Sequence, residues 1–159
     1  MTDHPTLIHE RVDLARRNAN PTVICRMRSG WAVLGDHQFF TGYSLLLADP
    51  VVSHLTDLDD ATRSVFLSDM ALLGEALHEC TETFRVNYEI LGNGDAALHA
   101  HLFPRYLHEP DRYRRGPVWG YPLEQRTSVV FDASVHGDLQ RSIASYITHR
   151  LSHRSSQQS

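Results

Sequence analysis

Lysine is absent from this chain. Every one of its fifteen permanently cationic side chains is arginine, which excludes a Schiff-base lysine and a P-loop whose lysine reaches the phosphates. Cysteine is scarce as well, and Cys25 and Cys80 match no Cys-x-x-Cys metal or redox spacing, so the expectation is buried thiols rather than a disulfide or a reactive pair. No apolar run approaches the ~20 residues of a membrane helix, and Met1-Thr2-Asp3-His4-Pro5 does not begin a basic, then apolar, secretion signal. A cytoplasmic protein with no membrane partner is expected. The formal charge of −4 argues against a chain that coats nucleic acid. No internal repeat is present, and 159 residues fit a single domain, drawn here as residues 1–151 with a core of about 22–131.

What the chain does have is periodic apolar patterning. Residues 5–18 predict a short helix, and 22–27 and 31–34 predict strands flanking Arg28-Ser29-Gly30, a glycine-containing hairpin loop. A strand over 43–47 is ended by Asp49-Pro50. A long helix follows, capped by Thr56 or Asp57, with Val65, Phe66, Met70, Leu73 and Leu77 as its core stripe. Residues 87–90 predict a strand running into Gly92-Asn93-Gly94, read as a tight turn built on positive-φ residues whose amides could face an anion. Beyond a polar loop over 108–122, a last strand is expected near 128–131 and a helix at about 135–151. Residues 152–159 are expected to be a disordered tail.

The chemistry concentrates in Leu98-His99-Ala100-His101-Leu102-Phe103-Pro104-Arg105-Tyr106. On a strand, Leu98, Ala100 and Leu102 turn to one face while His99 and His101 share the other, about 7 Å apart along the chain. Alternation alone also suits two solvated histidines on a half-buried strand. The densest basic group, Arg112, Arg114 and Arg115, reads either as solvated loop charge or as a phosphate-recruiting patch.

Asn87-Tyr88-Glu89-Ile90-Leu91-Gly92-Asn93, followed by His99-x-His101-x-x-Pro104-Arg105, resembles the histidine triad (HIT) superfamily of nucleotide hydrolases and transferases, in particular its bacterial diadenosine polyphosphate hydrolase-like branch. The resemblance implies an α+β fold with a five-stranded antiparallel sheet, a long helix and a C-terminal helix. It also implies a homodimer.

Anchored on Pro104-Arg105, the resemblance makes His99 the central, nucleophilic histidine and His101 the third, with Ala97 in the place of the first. An alternative register, with His101 as nucleophile and Phe103 third, conflicts with that anchor. Thr41-Gly42-Tyr43-Ser44-Leu45-Leu46 resembles the strand that carries a further histidine in the family, and Tyr43 stands there. The expectation is that its larger ring fills the space left at Ala97. By the same resemblance Asn87, Asn93 and Gly94 meet phosphate and Asp36 meets ribose, although Asp36 also reads as an ordinary turn residue. Tyr88 and Glu89 are read as strand packing and surface charge.

The implied reaction is attack on the α-phosphate of a nucleotide or dinucleoside polyphosphate substrate, giving a nucleotidyl-histidine that water cleaves. No cofactor is required and no metal is assigned, though magnesium can accompany a polyphosphate. Two other classes of answer stay open. One is a catalytically silent nucleotide-binding protein with a degenerate triad; the other is a metal site built on His99, His101 and His37 or His54, for which nothing in the sequence fixes a third ligand.

Overall fold

Strands β1 (Val23–Arg26), β2 (Gly30–Leu34) and β3 (Ser44–Ala48) form an antiparallel meander, and β5 (His99–Arg105) lies between β3 and the edge strand β4 (Arg85–Glu89). This is a computed structural model that describes residues 5–156, with side chains as far as residue 153. Helix α1 (Leu7–Arg16) precedes the sheet, and α2 (Asp60–Cys80) separates β3 from β4. Short α3 (Asp111–Arg114) and α4 (Leu123–Arg126) and long α5 (Ala133–Ser156) follow it. The architecture is α+β with a five-stranded antiparallel sheet.

Strict alternation divides the sheet into two unlike faces. Ala32, Leu34, Leu46, Ala48, Val86, Ala100 and Leu102 point to one side, where they pack on Phe66, Leu72, Leu73, Ala76 and Leu77 of α2 and Ile143 and Ile147 of α5. Removing each such large side chain from water contributes roughly 1.5–3 kcal/mol, so this layer dominates stability. The opposite face carries Val33, Leu45, Leu47, His99, His101, Phe103 and Arg105, together with Arg85, Asn87 and Glu89 of β4. Two separate caps cover it. Ile8 and Val12 of α1 cluster with Val33, Leu47 and Ala97, while Phe40, Phe103, Val118 and Tyr121 cluster with Phe39, Tyr43 and Tyr113. Both histidines lie between the caps.

Helix α2 begins later than the sequence suggested. A 3-10 turn at Leu55–Asp57 uses up Thr56 and Asp57, and the cap is Asp59, whose carboxylate accepts from the Thr62 amide at 2.7 Å. Such a cap contributes about 1 kcal/mol. The buried stripe is Phe66, Leu72, Leu73, Ala76 and Leu77, and Val65 and Met70 are only half-buried.

Other expectations also required correction. Gly92, Asn93 and Gly94 do not adopt positive φ, which among the described residues occurs at Asn18 and Gly42 alone. The connection from β4 to β5 spans residues 90–98, long enough to reverse the chain without left-handed residues. No sixth strand forms at 128–131. That segment makes a lone bridge between Val130 and His37, because its neighbour at 36–38 is itself irregular. The 108–122 stretch is not a plain loop: it contains α3 and a 3-10 turn at Val118–Gly120. Helix α5 continues through Ser156, past the expected end at 151, so residues 152–156 are helical; 157–159 lie outside the described residues. Cys25 and Cys80 are free and half-buried, and burial beside Asp69 pushes the Cys25 thiol up to about 11.

Candidate functional site

Strand β5 turns His99 and His101 onto the capped face, and the contacts around them assign every ring nitrogen. His99 Nδ1 lies 2.7 Å from the Ala97 carbonyl, which can only accept, so this nitrogen carries the proton and Nε2 holds a lone pair. His101 Nε2, 3.0 Å from His99 Nε2, must then be the donor of that pair, which leaves His101 Nδ1 to accept from the Tyr43 hydroxyl at 2.7 Å. The result is a one-directional chain: Tyr43 O–H to His101, His101 N–H to His99, His99 N–H to the backbone. The His101 imidazole is neutral in it. Burial, reinforced by the neighbouring His99, pulls the His101 pKa down to about 4. Burial, with Asp36 and Glu89 adding to it, pushes the Tyr43 phenol well above its ordinary range, so its proton stays in place.

Tyr43 is delivered to this position by its local backbone. Gly42, at φ +87°, turns the chain just before β3, a conformation that L side chains rarely adopt. The Tyr43 ring then lies against Gly35, where an added Cβ would sit 2.2 Å from a ring carbon. On its other side it stacks on Phe103, with centroids 4.2 Å apart. The expected pairing with Ala97 is absent. Ala97 belongs to the α1 cap with Ile8, Val12, Val33 and Leu47, whereas Tyr43 belongs to the aromatic cap.

Two cavities meet at the histidines. One, of about 290 Å³, runs under α1 and is walled by Leu7, Ile8, Val33, Leu45 and Leu47, with Asp36, His37 and Asp95 as polar groups. Its volume falls at the lower end of small-molecule pockets. Two buried atoms there have no partner among the described residues, His37 Nδ1 and Asp95 Oδ1, and such groups are costly unless a ligand or water satisfies them. Asp36 is already engaged by Arg11 of α1 at 2.6 Å. The second cavity, about 510 Å³ and more open, is bounded by Leu91, Gly92, Asn93, Gly94, Asp95 and Trp119.

The structure therefore brings His99, His101, Tyr43, Asp36, Asn93 and Gly94 to one region. It sets Asn87 apart, since its carbonyl oxygen accepts from Arg105 at 2.7 Å and it lines a different cleft. Among the described residues no group of three histidine, cysteine or acidic side chains converges in a way that could hold a metal ion. Two parts of the site escaped the sequence reading. Glu89 is paired with His101 across the β4–β5 ladder and accepts the Trp119 indole N–H at 2.6 Å, forming an outer wall. Arg105, 2% exposed, and Glu109 form a buried ion pair at 2.8 Å. Arg105 also donates to the Tyr113 and Gly116 carbonyls, and Tyr121 donates to Glu109, so this network fixes the aromatic cap.

No protein-family model matches the sequence, and no curated protein matches it. Solved structures do. A histidine triad protein from Marinobacter aquaeolei VT8 superposes with a TM-score of 0.68 at 20% identity, over 85% of this chain and 94% of that one. A histidine triad protein from Sinorhizobium meliloti 1021 gives 0.67 at 18% identity, over 83% and 93%. One from Bradyrhizobium japonicum gives 0.65 at 22% identity, over 84% and 95%. The chain has the histidine triad fold. In this chain the Ala97 carbonyl and the Tyr43 hydroxyl frame His99 and His101 through the hydrogen-bond chain above.

Proposed function

We propose that this chain is a histidine triad nucleotide hydrolase or nucleotidyl transferase that works through a nucleotidyl-histidine at His99. The observation that carries the reading is the lone pair on His99 Nε2, held there because Nδ1–H is committed to the Ala97 carbonyl. A neutral imidazole so fixed is a ready nucleophile. The nucleoside occupies the cavity under α1, and its α-phosphate enters between the two Nε2 atoms, replacing their mutual contact. The His99 Nε2–P bond forms as the bond from phosphorus to the leaving group breaks, and the electron pair departs with the leaving atom. His101 Nε2–H then hydrogen-bonds to a phosphate or leaving-group oxygen. It does not surrender its proton, because the Tyr43 hydroxyl cannot replace it. Water attacks the adduct in the second half, the N–P bond breaks, the lone pair returns to His99 and a proton leaves to solvent. Neither half requires a cofactor.

Asn93, Gly94 and their amides line the side where the phosphoryl charge develops, the usual place for the largest stabilising contribution. The carboxylate of Asp36 would meet the ribose hydroxyls, exchanging part of its contact with Arg11. A dinucleoside polyphosphate fits the two-cavity layout, with its leaving half in the wider, Trp119-bounded space.

The decisive experiment incubates the protein with a panel of adenylyl and guanylyl substrates and follows protein and products by mass spectrometry. The expected result is an adduct of one nucleotide that His99→Ala abolishes, with turnover falling by several powers of ten. Retention of a tenth of the activity would reject His99. Binding of AMP with neither adduct nor product from any substrate would favour a silent nucleotide-binding protein, the reading that Ala97 keeps open.

A further inference from the structure

Almost every arginine with a described side chain has a partner. Nine are in ion pairs, with Asp13, Asp36, Asp49, Asp60, Asp69, Glu75, Glu109, Asp111 or Asp138. Arg17 donates to a carbonyl, Arg112 lies over the Tyr113 ring, and Arg126 lies over Trp119. Arg85 and Arg115 are the two, among the described residues, with no such contact, and both line one cleft of about 610 Å³. The cleft flanks β4 on the histidine face, bounded by Phe84, Asn87, Gly116 and Pro117, with the Glu89 carboxylate at one end, tied to the Trp119 indole. Two further arginines in its wall are neutralised locally, Arg105 by Glu109 and Arg114 by Asp111. The Asn87 carbonyl is taken by Arg105, which leaves its NH2 as a donor. In a chain of net charge −4, two unpaired guanidinium groups beside an amide donor form a concentration of positive charge whose forked geometry matches a phosphate.

We propose that this cleft binds a phosphoryl group, with Arg85 and Arg115 as its cations and Asn87 as its neutral donor, at a site distinct from the histidine pair. Glu89 lines the end of the cleft nearest the histidines. Its carboxylate, tied to Trp119, stands opposite His101, while Arg85 stands opposite Arg105 at the far end of β4. Four residues at ~3.3 Å each put Arg85 about 13 Å along the strand from Glu89. That distance is too long for the phosphate attacked by His99, and it suits either the distal phosphates of a polyphosphate chain or a separate phosphate ligand. The proposal does not depend on turnover.

The test titrates inorganic tripolyphosphate into the full-length protein at low ionic strength by calorimetry. Expected are binding that weakens with added salt, a loss of at least tenfold in Arg85→Ala/Arg115→Ala, and a change of less than twofold in His99→Ala. Both arginines are solvent-exposed, and thermal unfolding of the double variant at the wild-type temperature confirms its fold. Repeating the titration in His99→Ala with saturating AMP or ATP separates the two sources: competition by ATP but not by AMP identifies distal phosphates of the same substrate, competition by neither identifies a separate ligand, and competition by AMP places the anion at the histidines and overturns the proposal. Binding equally tight in the double variant, or none by the wild type at millimolar concentration, would overturn the proposal.

Discussion

Removing a single oxygen atom tests the geometry of the site most directly. In Tyr43→Phe the ring keeps its stack on Phe103, at 4.2 Å, and its seat against Gly35, while His101 Nδ1 loses the hydroxyl 2.7 Å away. A partly buried acceptor left without its donor costs about 1–3 kcal/mol. For a chain of this size that corresponds to a fall in Tm of roughly 3–10 °C. Tyr43→Ala also removes the packed ring and should cost about 3–5 kcal/mol, so the loss in Tyr43→Phe isolates the hydrogen bond and the further loss in Tyr43→Ala isolates the ring's packing.

The sharper readout is spectroscopic. At neutral pH the hydrogen-bond chain requires opposite tautomers two residues apart, Nδ1–H on His99 and Nε2–H on His101, and side-chain 15N shifts distinguish them. In Tyr43→Phe nothing holds His101 in its tautomer, and its two nitrogens should move toward averaged shifts while His99 is unchanged. If the phosphate contact of His101 matters as proposed, kcat falls about tenfold, the equivalent of ~1.4 kcal/mol, with little change in KM. Should His101 keep the Nε2–H form and stability stay within about 0.5 kcal/mol of wild type, the directional chain is refuted.

Two further outcomes follow from the buried charges. Because His101 titrates near 4 when folded and at its ordinary 6.5 when unfolded, the folded state binds fewer protons between those values; the stabilisation is therefore complete above pH 6.5 and is lost as pH falls toward 4, by at most about 3 kcal/mol. Urea unfolding at pH 7, 5.5 and 4 should show this slope in the wild type and a shallower one in His101→Asn; equal slopes would contradict it. Glu109→Gln leaves the buried Arg105 cation without its counter-charge and should destabilise by about 3–5 kcal/mol, and a loss below 1 kcal/mol in denaturant titrations would show that the ion pair does not secure the aromatic cap.

How much of this could be read in advance depends on sequence distance. The facing of His99 and His101 was legible because alternation on a strand is local, and Leu98, Ala100 and Leu102 are indeed buried behind them. The order of the long helix, edge strand and histidine strand was legible for the same reason. What failed was long-range. Glu89 meets Trp119 thirty positions later, across a segment whose Pro and Gly residues announced only a loop. Arg105 looked like an anchor residue, and its four-residue partner Glu109 gave no sign that both would be buried. The 128–131 stretch has strand composition, but a strand needs a straight neighbour, and residues 36–38 do not supply one. At 92–94 the composition of a tight turn was present without the short connection that would have demanded it.

The partnership expected between Ala97 and Tyr43 fails for an instructive reason. It assumed that a missing imidazole leaves a hole near the nucleophile that another ring must fill. Instead the position is absorbed by α1, with Ile8 and Val12 closing over Ala97 and Leu47, while Ile8 is itself tied to the 90–98 connection by its amide, which donates to Asp95 at 3.2 Å. The group at position 97 that matters to His99 is the carbonyl, at 2.7 Å from Nδ1, and a backbone carbonyl survives any substitution. Tyr43 acts on the other side, through His101. Orientation of the pair is thus divided between a main-chain acceptor behind His99 and a phenolic donor behind His101. Neither task requires the further imidazole that the resemblance expects at position 97, so alanine there is compatible with a fully oriented site.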